Sequence, residues 1–310
     1  MITKQSTSCH EEWLALRHKY IGGSDAAAVV GLNSFVSPYA LWAEKTCRLP
    51  GFEGNLATEV GTYLEEFVAQ KFSQETGKRV RKCNLSWFNS DYPWAIANID
   101  REIVGEDAGL EIKTTSEMNL KKFKGGEYPA NYYVQCMHYM AVTGKQKWYL
   151  AVLIGNREFK WFTIERDEDE IKALMEAERD FKKLIDSDTP PLADGAASTS
   201  STLFTLYPDS RDTAIGIGSF ERELDNYFRL KEQLKNIEMT IDGIENRLKA
   251  HLGECAMGEG EKYKVSWKTQ TRSTFDSKRF IADHPDVDVS KYYKKSSSRP
   301  FKVTELKGDK

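Results

Sequence analysis

Asp100 and the run Gly109-Leu110-Glu111-Ile112-Lys113 decide how this chain is read. In an extended segment alternate side chains share a face, so Glu111 and Lys113 project together while Leu110 and Ile112 turn toward a core. Asp100 closes the run Trp94-Ala95-Ile96-Ala97-Asn98-Ile99, and the ten residues separating it from Glu111 include Gly105 and Gly109. That is enough for a strand, a turn and a returning strand, and a hairpin there brings two carboxylates and an ammonium together. Hydrolysis of a phosphodiester needs such a set, because a hard divalent cation held by oxygen ligands neutralises the phosphate and activates water near neutral pH. An Asp followed by Glu-x-Lys also occurs by chance on a solvated strand face carrying an ion pair, so the neighbouring segments matter.

Upstream, Gly61 to Phe72 places Leu64, Phe67, Val68 and Phe72 at helical spacing and carries the acidic pair Glu65 and Glu66. Downstream, Tyr132 to Met140 reads as a helix that starts after Pro129 and ends at Gly144, with Gln135 and Tyr139 one turn apart on one side. Lys147 to Ile154 and Phe159 to Ile164 then read as a hairpin around Gly155-Asn156-Arg157. The order is helix, strand pair, helix, strand pair. Glu170 to Ile185 follows as a charged amphipathic helix.

Five segments in this order resemble the YqaJ-type viral recombinase family, the phage lambda exonuclease-like branch of the PD-(D/E)xK nucleases. They are Arg17 with Ile21-Gly22-Gly23-Ser24-Asp25-Ala26-Ala27, the Gly61 to Glu65 helix, Asp100, Glu111-x-Lys113, and Gln135 with Tyr139. The resemblance implies an α/β, restriction-endonuclease-like core with a mixed central sheet flanked by helices. It implies Glu65, Asp100 and Glu111 as metal ligands with the backbone carbonyl of Ile112, and Mg²⁺, or Mn²⁺, as the cofactor. Lys113 would orient or help deprotonate the attacking water, and Gln135 would position Lys113 or the scissile strand. Arg17 and Ser24 match positions that hold a terminal 5′ phosphate, for which a guanidinium and a hydroxyl are suitable donors. The activity so implied is digestion of linear double-stranded DNA from 5′ ends, leaving 3′ single-stranded overhangs. The implied partners are duplex DNA ends, a single-strand annealing recombinase and further copies of the chain, in some members a ring.

Each residue has a plainer reading. Ser24 or Asp25 also suits a helix N-cap, Arg17 a helix surface, and Gln135 a polar core position. Glu66 reads as a solvated charge and His138 as structural. An endonuclease, or a structure-specific nuclease, would use the same Asp100, Glu111 and Lys113, and a catalytically silent DNA-binding or assembly module is the alternative of a different class.

The formal charge of −3 argues against a protein that coats DNA by net attraction, although a nuclease needs only a local basic groove. Lys78 to Lys82, Lys121-Lys122-Phe123-Lys124 and Tyr292 to Arg299 are local basic clusters, and Lys121, Lys122 and Lys124, just after the Glu111 strand, are the candidates for DNA backbone contact. Five cysteines, Cys9, Cys47, Cys83, Cys136 and Cys255, are scattered without a Cys-x-x-Cys pair, which indicates neither zinc nor a disulfide framework and disfavours an iron–sulfur cluster. A reducing cytoplasm, that of a bacterial host for a phage or prophage protein, is the expected location. No apolar run of about 18 residues suggests a membrane span.

Composition divides the chain into a nuclease domain over 1–188, a linker or surface loop over 189–218 that opens on Pro190-Pro191 and continues small and polar, and a C-terminal module over 219–310. In that module Phe220 to Leu252 reads as a long helix, with Leu230, Leu234, Ile237, Ile241, Ile244 and Leu248 forming a heptad-like seam. Tyr263 to Thr269 reads as a strand, followed by a basic aromatic stretch to Val303.

Overall fold

Alternation along 108–115 builds the central strand of the first unit's main sheet. The structure, a computed structural model, describes residues 1–6, 10–51, 54–294 and 298–306; Cys9 and Lys295 lie outside the described residues. Two compact units divide at Pro208 and Asp209.

In the first unit, β1 (Ile2–Ser6), α1 (His10–Lys19), β2 (Ile21–Gly22), α2 (Gly23–Val29), α3 (Pro38–Lys45) and α4 (Leu56–Thr76) precede the central strands. Those are β3 (Val80–Lys82), β4 (Leu85–Asn89), β5 (Ala95–Asn98), β6 (Arg101–Ile103) and β7 (Ala108–Thr115). A 3₁₀ segment over Glu117–Phe123 leads to α5 (Ala130–Thr143), the hairpin β8 (Lys147–Ile154) and β9 (Glu158–Glu165), then α6 (Glu168–Asp186) and α7 (Ala197–Leu206). One sheet runs β3-β6-β7-β8-β9 and a second β1-β4-β5-β2. The first is mixed: β7 and β8 are parallel and their neighbours antiparallel, the crossover being α5. The expected mixed sheet flanked by helices is therefore present, with a second sheet beside it.

The two sheets share their connections. β4 and β5 pair in one sheet while β3 and β6 pair in the other, and the breaks fall at Cys83-Asn84 and Ile99-Asp100. Asp100 thus stands where the backbone leaves one sheet for the next, with its carbonyl accepting the Cys83 N–H at 3.4 Å. That is why its side chain can leave the pleat and face β7.

Two helices cover the main sheet. Asn55 caps α4 by accepting the Thr58 N–H at 3.1 Å, and Gly77 ends it at φ 72°. Val68, Ala69 and Phe72 of α4 pack on Leu110, Ile112, Tyr149 and Ala151. Pro129 and Gly144, the latter at φ 73°, bound α5 as its sequence indicates. Met137 and Met140 of α5 pack on Trp148, Leu150 and Val152 across the other face. Phe67 does not join the core; it is 53% exposed and, with the half-buried Leu64, borders an open groove near Leu153 and Phe159. Helical periodicity defines an apolar arc wider than the part the sheet covers.

Gly109 lies where no side chain fits: a Cβ there would come within 2.3 Å of the Trp148 ring, which is fully buried. Gly109→Ala is expected to destabilise the unit by about 1–3 kcal/mol in urea unfolding, the usual cost of overpacking; unchanged stability would mean the ring can retreat.

The stretch read as a linker requires correction. Within 189–218 lies α7, docked on the N-terminus of α3: the Ser37 N–H donates to Ser198 Oγ at 3.0 Å and Thr199 Oγ1 donates to Ser37 Oγ at 2.7 Å. The first compact unit accordingly extends to Pro208 rather than closing at 188. Small hydroxyl side chains make the hydrogen bonds of this interface and Leu206 adds an apolar contact to the Leu41 and Trp42 cluster, so no apolar repeat announces the helix.

The second unit contains α8 (Glu221–Leu252), the antiparallel ribbon β10 (Met257–Glu259) and β11 (Lys264–Ser266), and the short α9 (Ser277–Asp283). α8 passes Gly243 without interruption, and all six residues of its heptad-like seam are 42–57% exposed.

Candidate active site

The register of β6 on β7 sets Arg101 opposite Leu110, which carries Asp100 to the level of Glu111. Asp100 Oδ2 accepts the Ile112 N–H at 2.8 Å. Glu111 and Lys113 share one face of β7, as period two requires, and Lys113 Nζ sits 2.6 Å from Glu111 Oε1. Gln135 Nε2, projecting from α5, donates to the same Oε1 at 2.8 Å and contacts the Tyr139 hydroxyl at 2.8 Å. Gln135 therefore fixes Glu111 Oε1, the same atom that holds Lys113 Nζ, and bears on Lys113 through that carboxylate. Tyr139 packs against Trp148 at 5.2 Å, which ties this polar chain to the core.

Glu111 is 2% exposed, and its second oxygen, Oε2, is buried with no hydrogen-bond partner. A buried carboxylate oxygen left without a donor is costly. Burial and the Glu111 carboxylate raise the Asp100 pKa well above the ordinary value, against the pull of Lys113 and the Ile112 N–H. Burial alone would lower the Lys113 pKa, yet Glu111 and Asp100 more than offset it and hold the ammonium charged. A half-buried carboxylate, Asp100, thus faces a buried one, Glu111, beside an ammonium, with one carboxylate oxygen unserved. These oxygen donors fit a hard divalent cation.

Electrostatics of this kind predict a stability penalty in the metal-free chain. Because the folded pKa of Asp100 is raised above 3.8, stability is greatest below that value and is lost as pH rises through the folded pKa. Asp100→Asn is expected to gain on the order of 1 kcal/mol in EDTA at pH 8, a rise in melting temperature of about 2–4 °C, with the gain vanishing near pH 3. A lower melting temperature for the variant at pH 8 would show the carboxylate to be stabilising.

Glu65 stands apart from this pair. It lines, with Trp13, Asn84, Ser86, Asn98 and Asp100, an open cleft of about 500 Å³. Its Oε1 is ion-paired with Arg101, whose other terminal nitrogen reaches Glu66 at 3.1 Å. Glu66 is exposed, a solvated charge as read, and is also paired with Arg101. Among the described residues, no three Asp, Glu, His or Cys side chains come close enough together to hold a metal. Sequence reading missed Arg101, which is 2% exposed, although a basic residue directly after Asp100 was the available signal.

On the approach to the cleft, Arg17 donates to Ser24 Oγ at 3.2 Å and its guanidinium lies 5.0 Å from the Trp13 ring. Ser24 is not the cap of α2. Gly22 is, and its N–H donates to Asp25 Oδ2 at 2.9 Å, leaving the Ser24 hydroxyl exposed. Lys121, Lys122 and Lys124 are exposed around the buried anchor Phe123, and make no ion pair among the described residues. His138 is structural as read: fully buried, it bonds Glu178 at 2.7 Å and the Ile96 carbonyl at 2.9 Å.

Fold and site together define a restriction-endonuclease-like α/β protein. Residues 12–146 match the YqaJ-like viral recombinase domain, and over 99% of its length the chain is 36% identical to the uncharacterized protein YqaJ of Bacillus subtilis strain 168, covering 98% of that protein. The chain belongs to the YqaJ-like viral recombinase family. Among solved structures it is similar to LHK-Exo, an alkaline exonuclease from Laribacter hongkongensis, at 25% identity and TM-score 0.49, over 57% of this chain and 93% of that one. The dAMP complex of LHK-Exo gives 24% identity and TM-score 0.50 over the same shares. No helix among the described residues is long and apolar enough to cross a membrane.

Proposed function

We propose that this protein is a metal-dependent DNA exonuclease that resects linear duplex from 5′ ends, leaving 3′ single-stranded overhangs for recombination. The observation that carries the reading is the Asp100–Glu111 pair, half-buried and buried respectively, with Glu111 Oε2 unpartnered beside the Lys113 ammonium. Asp100, Glu111 and the Ile112 carbonyl would hold Mg²⁺, with Mn²⁺ an alternative of the same ligand chemistry. Glu65, whose Oε1 is ion-paired with Arg101, would complete that set. When bound, the ion supplies charge neutralisation at the phosphate and a more acidic water.

The chain's own residues do the rest. Gln135 and Lys113 grip Glu111 Oε1 and so leave Oε2 directed to the ligand position. Lys113 offers a fixed ammonium to the attacking water and the phosphoryl oxygens, where preorganised charge acts most strongly. Arg17 and Ser24 offer the donors for a terminal 5′ phosphate, and Lys121, Lys122 and Lys124 a track for the duplex backbone. Family membership supports coupling to a single-strand annealing recombinase and self-assembly, as a ring in the form we favour.

Digestion of a linear duplex labelled separately at each 5′ and 3′ end, with a closed circle as control, tests the proposal. Metal-dependent release from the 5′-labelled strand with the circle intact is expected; cutting of the circle would make the protein an endonuclease, and DNA binding without cleavage a silent module. The end pocket has its own test. Wild type is expected to digest 5′-phosphorylated ends several-fold faster than hydroxyl ends and Arg17→Ala to lose the difference, whereas equal wild-type rates would remove the pocket from the mechanism.

A further inference from the structure

Charge is unevenly distributed along the chain. Residues 262–310 hold 13 Lys and Arg against 6 Asp and Glu, a net +7 in a chain whose total is −3. Within this stretch three of the six acidic groups are used locally. Asp276 caps α9 by accepting the Arg279 N–H, Asp283 pairs with Arg279 at 3.5 Å, and Asp288 accepts the Ser290 N–H at 3.0 Å. Lys268, Arg272, Lys278, Lys291, Lys294 and Lys302 make no ion pair among the described residues.

Aromatic rings share the same short segment. Phe275, Phe280, Ile281, Val287, Tyr292 and Tyr293 border a hollow of about 430 Å³, open to solvent. Phe275 and Phe280 are in contact at 5.2 Å, which gives the hollow one firm wall, while Phe275, Tyr292 and Tyr293 remain 68–75% exposed. Lys291 lies 5.4 Å from the Tyr292 ring. An apolar surface left so exposed, and interleaved with uncompensated cations, suits a polyanion that also presents flat apolar faces. Single-stranded nucleic acid has both: phosphates for the lysines and unpaired bases for the rings. Duplex DNA offers the phosphates but keeps its base faces stacked inside.

We propose that residues 275–294 and 298–302 form a binding surface for single-stranded DNA, with Phe275, Tyr292 and Tyr293 stacking on bases and Lys278, Lys291, Lys294 and Lys302 following the phosphates. The choice of DNA over RNA rests on the proposed resection activity, whose product is a DNA single strand. Binding of this kind tolerates any sequence and weakens with salt.

The test uses the full chain in EDTA, so that no strand is digested, and reads fluorescence anisotropy of a labelled thirty-residue oligothymidylate. Wild type is expected to bind it, and Tyr292→Ala with Tyr293→Ala to weaken binding at least tenfold while blunt-duplex binding and the far-UV circular dichroism stay unchanged. Lys291→Ala with Lys294→Ala is expected to reduce the slope of log Kd against log salt by roughly 1.4, about 0.7 for each phosphate no longer neutralised. Unaltered oligothymidylate binding in both variants, absence of wild-type binding, or equal loss of duplex binding would overturn the proposal. Tighter binding of oligouridylate would overturn the assignment to DNA, and loss of binding to anionic vesicles alone would point to a membrane surface instead. A chain that binds the strand through these residues yet cuts no DNA would leave this inference standing and remove the nuclease reading, so the two fail separately.

Discussion

Lys113→Ala is expected to lower the single-turnover rate of nucleotide release about a thousandfold, within the range that one positioned proton-transfer or charge-stabilising group contributes. The side chain is held on three sides: Glu111 Oε1 at 2.6 Å, the Tyr132 ring at 5.5 Å, and the Asp100 carboxylate, which helps keep the ammonium charged. Truncation removes the cation beside the Asp100 and Glu111 carboxylates, so the consequence extends beyond catalysis. The metal-free variant should melt below wild type, because the repulsion that already raises the Asp100 pKa loses its main counterweight. It should also gain more in melting temperature from saturating Mg²⁺, since a ligand that binds only the folded chain then relieves a larger strain. Lys113→Arg separates charge from shape: it keeps a cation but not a compact donor, and should recover stability with little activity. Wild-type turnover by the alanine variant would exclude Lys113 from the mechanism, and an unchanged response to Mg²⁺ would exclude the carboxylate pair as its ligand site.

Sequence period made the centre of this site legible. Two-residue alternation correctly separates Glu111 and Lys113 from Leu110 and Ile112, and the Gly-containing turn after Asp100 correctly returns the chain as an antiparallel strand. Pro129 and Gly144 likewise mark both ends of α5, placing Gln135 one turn from Tyr139. Residues whose partners lie far away in sequence are harder to read. Arg101 neighbours Asp100 yet points to α4, and nothing local says that its guanidinium holds Glu65 and Glu66, about 35 residues earlier. Phe67 belongs to the apolar arc of α4 but faces outward, because periodicity gives an arc and only tertiary packing selects the part that is covered. The docking of α7 depends on the hydroxyls of Ser37, Ser198 and Thr199, residue types that signal turns when read alone. Lys45 belongs to this second group, and its consequences for the site are the largest.

Lys45→Met should cost about 3–5 kcal/mol of folding stability, the usual penalty for removing one member of a buried ion pair. Lys45 Nζ lies 2.6 Å from Asp25 Oδ2, the two side chains being 3% and 9% exposed, and it also donates to the carbonyls of Arg17 and, at 2.9 Å, Tyr20. Asp25 in turn holds the Gly22 N–H that starts α2. One ammonium therefore ties the end of α1 to the turn that carries Ser24, fixing the spacing of Arg17 and Ser24. Burial opposes ionisation of Asp25, yet Lys45 and Arg17 bring its pKa below 3.8. The sign follows: in wild type this pair stabilises the fold at pH above about 3.8, and the contribution is lost as pH falls through the lowered value. In Lys45→Met burial is opposed mainly by Arg17, so the deficit should be widest near pH 7.5 and narrow at pH 4.5 as Asp25 takes up a proton. Urea unfolding of both proteins at the two pH values measures this directly. Lys45→Met with Asp25→Asn should recover much of the stability, since replacing both partners leaves no unpaired buried charge, but not the preference for 5′-phosphorylated ends, because the carbonyls of Arg17 and Tyr20 still lack their donor. Recovery of both would show that the ammonium acts on Asp25 alone, and a deficit independent of pH would show that Lys45 contributes packing rather than charge.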